Sequence, residues 1–283
     1  EVDDDAEIAR AVALARDAEV AVLVLGEAQI MIGEHASRST LDLPGRQQDL
    51  LEAVIATGTP TVVLLMTGRP LDLKGATPAA KMIIWYPGTR GGEAVANLLF
   101  GDATPGGKLP FNWPRSLGQI PLPYARLRSH QPGWSAERYW NEPNSPLYPF
   151  GHGLSYSPVQ FDNLRLSQDR IAPGETVHVT CDVTNIGDRH AEEVGQLYIH
   201  QRHGLAARPL RLLKGFERFG LKAGETRTLR FTLGPDELSY WSASTRDWVQ
   251  DETLFDIFVG PDSNAALQVT LEVRQTATSG AGA

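Results

Sequence analysis

The chain has 283 residues, 42% of them apolar, which suffices for one large domain or two ordinary domains with packed cores. Its 34 acidic residues outnumber the 26 basic ones, and the net charge of −8 repels polyanions, so nucleic acid is not expected as a partner. No apolar run reaches the roughly 18 residues needed to cross a bilayer, so no membrane-spanning segment is expected either.

The segment up to residue 100 alternates two apolar patterns. Apolar residues at helical spacing predict helices, and short continuous apolar runs predict strands buried on both faces of a parallel sheet. In chain order, the predicted elements are helix 5–14, strand 20–25, helix 47–56, strand 61–66, strand 81–85 and helix 91–100. This alternation is typical of an α/β domain.

The predicted sheet is small for its class. A parallel sheet needs cover on both faces and protected edges, and about three strands seldom provide a stable sheet. We therefore expect the first half of this α/β domain to be absent from the chain.

The composition changes after the last predicted helix. Prolines and aromatic residues fill residues 101–156, and the prolines block regular elements. The aromatic content is too high for a solvated linker, so an ordered connector that packs on its neighbours is predicted.

Beyond residue 159 the apolar period becomes two, with Cys181 among the apolar positions, and turn signals separate the runs. This pattern predicts about seven antiparallel strands in a fibronectin type III-like (immunoglobulin-like) β-sandwich with Cys181 buried. The predicted domain bounds are 1–120 for the C-terminal part of the α/β sandwich domain, 121–158 for the connector, 159–275 for the β-sandwich and 276–283 for a disordered tail.

The loop that follows the first predicted strand is the first candidate for chemistry, because ligands of parallel sheets bind at the carboxyl ends of the strands. Residues 26–40 hold two acids, Glu27 and Glu34, together with a histidine, an arginine and three hydroxyls. Such groups can protonate a leaving group or hold sugar hydroxyls. The alternative is a solvated loop in which Glu34 and Arg38 form a surface ion pair worth less than about 1 kcal/mol.

The remaining candidate motifs in the sequence indicate neither a cofactor site nor a metal site. The glycine-rich stretch at 101–108 lacks the spacing of a phosphate-binding loop, and Leu109 replaces the hydroxyl that would hold magnesium. His200 and His203 are three residues apart on a predicted strand, where this spacing points them to opposite faces. A single cysteine, Cys181, provides neither an intrachain disulfide nor a cysteine-built zinc site.

A series of motifs resembles the family 3 glycoside hydrolases, especially their bacterial periplasmic β-glucosidase branch. The likeness spans nearly the whole chain, and several motifs in the same order are highly specific. The motifs are GEHASR at 33–38, LDLP at 41–44, LMTGRPL at 65–71, WYPGTRGG at 85–92, LFGD at 99–102, PGGKLP at 105–110, LYPFGHGLSY at 147–156 and LKGFE at 213–217.

The resemblance implies an enzyme with no cofactor and a site shared between segments. Members of the family combine a barrel that carries a nucleophilic aspartate, an α/β sandwich that carries an acid/base glutamate and often a fibronectin-like domain. The chain resembles the last two parts and only part of the second. By this likeness Glu34 is the acid/base, although other branches place the acid directly after the strand, at Glu27. Ser37 and Arg38 match positions near the substrate mouth and are predicted to bind the sugar.

The implied activity is that of a retaining, exo-acting β-glycosidase that removes terminal β-linked sugars. Its expected partners are a β-linked oligosaccharide or aryl glycoside, a barrel-bearing segment or chain, and a second copy of itself in a homodimer, in the periplasm or outside the cell. The chain alone is expected to be inactive. The alternative is a non-catalytic carbohydrate-binding or interaction module derived from such an enzyme.

Overall fold

The computed structural model describes residues 4–128 and 139–275, so the predicted tail at 276–283 lies outside the described residues. The chain divides into two compact units. The first comprises residues 1–103 with 114–120, and the second comprises residues 104–113 with 121–283. Among the described residues, no helix has the length and apolar character needed to cross a membrane.

The first unit is an α/β domain with one small parallel sheet, as predicted. Its helices and strands are α1 Asp4–Arg16, β1 Ala21–Gly26, α2 Gln47–Ile55, β2 Thr61–Met66, β3 Ala80–Ile83 and α3 Gly91–Phe100, with short 3₁₀ turns at Gln29–Met31 and Leu117–Gln119. The strands are ordered β1-β2-β3, and both neighbouring pairs are parallel.

The edge strand β1 is covered on one face only. Ala21 packs in a buried cluster with residues of α1 and α2, whereas Val22 and Val24 on the other face are 46% and 59% exposed. The prediction that this strand is buried on both faces is therefore wrong. Its apolar sequence suits a doubly covered strand, but no described element covers the second face, and β2 is its single neighbour in the sheet.

The second unit is a β-sandwich, which confirms the predicted fold class. Its elements are β4 Val159–Leu166, β5 Arg170–Ile171, β6 Val177–Asn185, β7 Ala191–Gln201, β8 Leu212–Leu221, β9 Thr226–Leu233, α4 Pro235–Leu238, β10 Tyr240–Ser242, β11 Asp247–Val249, β12 Thr253–Gly260 and β13 Leu267–Val273. The described residues form a five-stranded sheet ordered β5-β13-β12-β7-β8, a three-stranded sheet ordered β4-β6-β9 and the separate hairpin β10-β11. More strands form than the about seven predicted, because β5, β10 and β11 are too short to show an alternating pattern.

Several aromatic residues that precede the sandwich are packed within the same unit. Trp113 is 2% exposed, and its backbone pairs with that of Tyr148. Tyr124 stacks on Phe150 with ring centroids 4.1 Å apart, and both rings meet the edge of Tyr198 on β7. Stacked and edge-on aromatic contacts of this kind stabilise a segment that has no regular secondary structure.

Cys181 on β6 is fully buried in the sandwich core, as predicted. Burial raises the pKa of its thiol to about 11, and Sγ lies 3.3 Å from the Asp162 carbonyl oxygen. We expect the native chain at pH 8 to react with an aromatic disulfide reagent about a hundredfold or more slowly than the urea-unfolded chain, because so little thiolate is present. Rapid reaction of the native protein, absent from a Cys181→Ser control, would contradict this burial.

Candidate active site

The carboxyl end of the parallel sheet is shaped by a glycine. Gly26 ends β1 with φ at +135°, and a Cβ there would lie 2.0 Å from the Met66 carbonyl oxygen of β2. The Gln47 side chain, at the start of α2, accepts from the Gly26 amide at 2.7 Å and donates to its carbonyl at 2.9 Å. The strand end is therefore fixed where the next residue, Glu27, begins the loop.

Glu27 is a buried carboxylate, with its side chain fully enclosed. Its Oε1 lies 3.0 Å from Arg38 Nη1 and 3.2 Å from Arg69 Nε, while Oε2 accepts from the Thr67 hydroxyl at 2.9 Å. We refer to Glu27, Arg38, Thr67 and Arg69 as the Glu27 cluster. Both carboxylate oxygens are thus engaged, as a buried charge requires.

The two arginines of the Glu27 cluster also hold the backbone of the loop. Arg38 Nη2 donates to the Asp42 carbonyl oxygen at 2.9 Å. Arg69 Nη2 donates to the carbonyl oxygens of Met31 and Ala36, at 2.7 and 2.9 Å. The cluster therefore joins the loop after β1 to the loop after β2 through side-chain and backbone contacts together.

A tyrosine brings the segment after β3 to the same place. The Tyr86 hydroxyl donates to the Glu27 carbonyl oxygen at 3.1 Å. Burial, and then the charge of Glu27, raise the pKa of Tyr86, so the hydroxyl keeps its proton and remains a donor at neutral pH. Residues that follow all three strands therefore meet at one edge of the sheet.

The far end of the loop is anchored by apolar packing. Leu41 and Leu43 are 7% and 5% exposed, and Leu71 is 1% exposed. Next to these leucines in the chain, Asp42 and Asp72 form an isolated parallel bridge, with the Asp72 amide donating to the Leu41 carbonyl at 2.7 Å. The LDLP motif is therefore a structural anchor at which the loop ends.

Glu34 is as exposed as Glu27 is buried. Its side chain is 92% exposed, and its Oε1 lies 3.8 Å from Nε2 of the equally exposed His35. His35 has φ at +62°, in the left-handed region. Ser37 is also exposed, whereas Arg38 pairs with Glu27 in place of the surface pair with Glu34 that the sequence allowed.

These environments separate the two acid/base candidates. A general acid must reach the oxygen that it protonates, and Glu27 is enclosed by its own partners. Glu34 is accessible, and its role as the acid/base stays a prediction. Sugar binding by Ser37 and Arg38 stays a prediction, although two guanidinium nitrogens of Arg38 already have protein partners.

Sequence reasoning did not identify Thr67 and Arg69 as members of the site. Both lie in the LMTGRPL motif directly after β2. A hydroxyl and a cation directly after the neighbouring parallel strand were the available signal, because the carboxyl ends of parallel strands share one edge of the sheet.

Comparison with known proteins identifies the family. Residues 1–156 match the glycosyl hydrolase family 3 C-terminal domain, and residues 193–263 match a fibronectin type III-like domain. The chain belongs to glycosyl hydrolase family 3, which confirms the resemblance seen in the motifs.

Named relatives extend well beyond the chain. The periplasmic beta-glucosidase of Salmonella typhimurium is 39% identical over 94% of this chain and 36% of its own length. The beta-xylosidase of Formosa agariphila is 40% identical over 90% of this chain and 35% of its own length. The crystal structure of a beta-glucosidase from Listeria innocua in complex with glucose superposes with a TM-score of 0.90 and 34% identity, covering 97% of this chain and 39% of that one. The chain thus spans little more than a third of these relatives.

Removing the charge of Glu27 tests the cluster. In Glu27→Gln two partly buried arginines lose their fully buried counter-ion, so we expect the first unit to lose about 3 kcal/mol or more in its free energy of unfolding. Hydrogen exchange of the β2 amides in increasing urea measures this loss. Glu93→Gln, which breaks the exposed pair with Arg90 in the same unit, should cost less than about 1 kcal/mol. Equal effects of the two substitutions would contradict a structural role for Glu27.

Proposed function

We propose that the chain is part of a retaining, exo-acting β-glycosidase in which Glu34 is the acid/base and a barrel-bearing segment provides the nucleophile. The observation that carries the proposal is an accessible carboxylate on a loop that buried contacts hold at the carboxyl end of the sheet. The names of the relatives, beta-glucosidase and beta-xylosidase, support terminal β-linked sugars as the substrate class.

The proposed reaction has two steps. An aspartate carboxylate of the barrel attacks the anomeric carbon, and Glu34 gives its proton to the departing glycosidic oxygen. Glu34, now a carboxylate, takes a proton from a water molecule whose oxygen attacks the anomeric carbon and displaces the aspartate. The two carboxyl groups lie about 5 to 5.5 Å apart in such sites, and residues 4–128 and 139–275 contain no barrel. The chain alone is therefore expected to be inactive.

The uncovered face of β1 supports the proposal that a further polypeptide segment packs against it. Val22 and Val24 expose an apolar face on an edge strand of a parallel sheet, and such sheets are normally covered on both faces. The greater length of the relatives supports the same conclusion. Alternatively, a second copy of the chain covers this face of β1. The periplasmic relative favours a periplasmic or extracellular location.

The test combines the chain with a barrel-bearing segment and compares Glu34→Gln with the parent. We expect kcat/KM for an alkyl β-glycoside to fall about 10²- to 10⁴-fold, since its leaving group needs a proton. A dinitrophenyl β-glycoside, whose leaving group needs none, should lose little in its first step. Azide should restore turnover of the variant and give a β-glycosyl azide, because it attacks the covalent intermediate without a general base.

Glu93→Gln is the matched control, since Glu93 is another exposed glutamate of the first unit. Unchanged activity of Glu34→Gln on the alkyl glycoside would reject the assignment. Loss of activity in Glu27→Gln alone, with its fold intact, would transfer the role to Glu27.

A carbohydrate-binding module is the second candidate, favoured by one feature of the sandwich. Trp241 and Trp248 are cross-strand partners on β10 and β11, with ring centroids 6.1 Å apart in an edge-on arrangement. The contact stabilises the hairpin, yet the two residues remain 55% and 65% exposed. Exposed aromatic faces can stack on sugar rings, so the pair offers a surface for an oligosaccharide.

This second function predicts that a soluble β-glucan retards the chain in affinity electrophoresis. Trp248→Ala should abolish the retardation, because it removes one of the two rings and the edge-on contact that Trp241 makes with it. Phe216→Ala removes an aromatic residue of the same unit that is 69% exposed, and it should leave the retardation unchanged. If the glucan does not change the migration of the chain, this second function is excluded.

A further inference from the structure

The loop that carries Glu34 has almost no core packing. From Ala28 to Ser37 no residue is buried, and Ile30 is 87% exposed. Gly33, with φ at +98°, has open space where a side chain would begin, so it adds no side-chain packing. An acid/base has to be held near its productive geometry, and unpacked loops do not provide this. Polar contacts must therefore fix the loop.

Arg69 provides these contacts at both sides of Glu34. Its Nη2 donates to the Met31 carbonyl, three residues before Glu34, and to the Ala36 carbonyl, two residues after it. Its Nε faces the buried carboxylate of Glu27. The planar guanidinium therefore links a rigid point beside β1 to the two sides of the exposed segment.

We propose that Arg69 and Glu27 are positioning residues for Glu34: the buried ion pair fixes the guanidinium, and the guanidinium fixes residues 31–36. This inference rests on the proposed acid/base role of Glu34. Buried ion pairs are weak contributors to stability in comparison with apolar packing, so the geometry that the pair imposes on the loop explains its presence better than stability alone.

Arg69→Lys separates positioning from charge. Lysine keeps the positive charge next to Glu27, but as a point charge on a flexible stem it lacks the planar fork that contacts a carboxylate and two carbonyls at once. If Arg69 only neutralises the charge of Glu27, lysine should replace it without loss of loop order or activity. If Arg69 positions the loop, lysine should not replace it. Arg90→Lys, at an exposed arginine of the same unit, is the matched control.

The first measurement uses the 283-residue chain and amide hydrogen exchange. The amides of Met31, Ile32 and Ala36 are hydrogen-bonded inside the loop and act as reporters. In Arg69→Lys we expect these amides to exchange about tenfold faster or more, with the β2 amides unchanged, because local opening is separate from global unfolding. Unchanged exchange of the three reporters would overturn the proposal.

The second measurement uses the chain assembled with a barrel-bearing segment. Arg69→Lys should lower kcat/KM for an alkyl β-glycoside by about ten- to a hundredfold, since a misplaced catalytic group costs factors of this size. It should leave the dinitrophenyl β-glycoside nearly unchanged. An equal loss on both substrates would overturn positioning of the acid. If Glu34→Gln shows no dependence on the leaving group, the proposed function fails, whereas the exchange result still reports on the loop.

Discussion

The structure of the candidate site depends on the burial of one carboxylate between two guanidinium groups. Glu27 is enclosed completely, and Arg38 and Arg69 reach it from the loops that follow two neighbouring strands. The cost of removing these charges from water is offset only when every partner is in place. The cluster therefore forms as a unit, and the two loops adopt one arrangement relative to the sheet.

The sequence predicted the elements whose shape is decided locally. β2 is a central strand, and its apolar run at 61–66 predicted its bounds as observed. The helix at Gly91–Phe100 was likewise predicted from its apolar spacing and ends at Gly101 in the left-handed conformation. The exposed face of β1 was not predicted, because the apolar run of a strand does not say which neighbours are present. Val22 has the residue type of a buried position and the environment of a surface one.

The candidate site was predictable in its location but not in the burial of its two glutamates. A polar loop at the carboxyl end of a parallel strand predicted the region, and the family likeness favoured Glu34. No local pattern distinguishes a buried Glu27 from an exposed Glu34, because burial depends on partners that are distant in the chain. Thr67 lies 40 residues from Glu27, and Arg69 lies 33 residues from Ala36, whose carbonyl it contacts. These pairings require the parallel register of β1 and β2.

The contrast between the two glutamates lies in the contacts that each side chain makes. The carboxylate of Glu27 is fully enclosed and contacts two arginines and the Thr67 hydroxyl. The side chain of Glu34 is 92% exposed and lies near the equally exposed His35. The same functional group is thus a structural anchor at one end of the loop and is open to solvent within it. The side chain of Glu34 is open in this chain, so in the proposed enzyme the surroundings that select the substrate would come from the segment that provides the nucleophile.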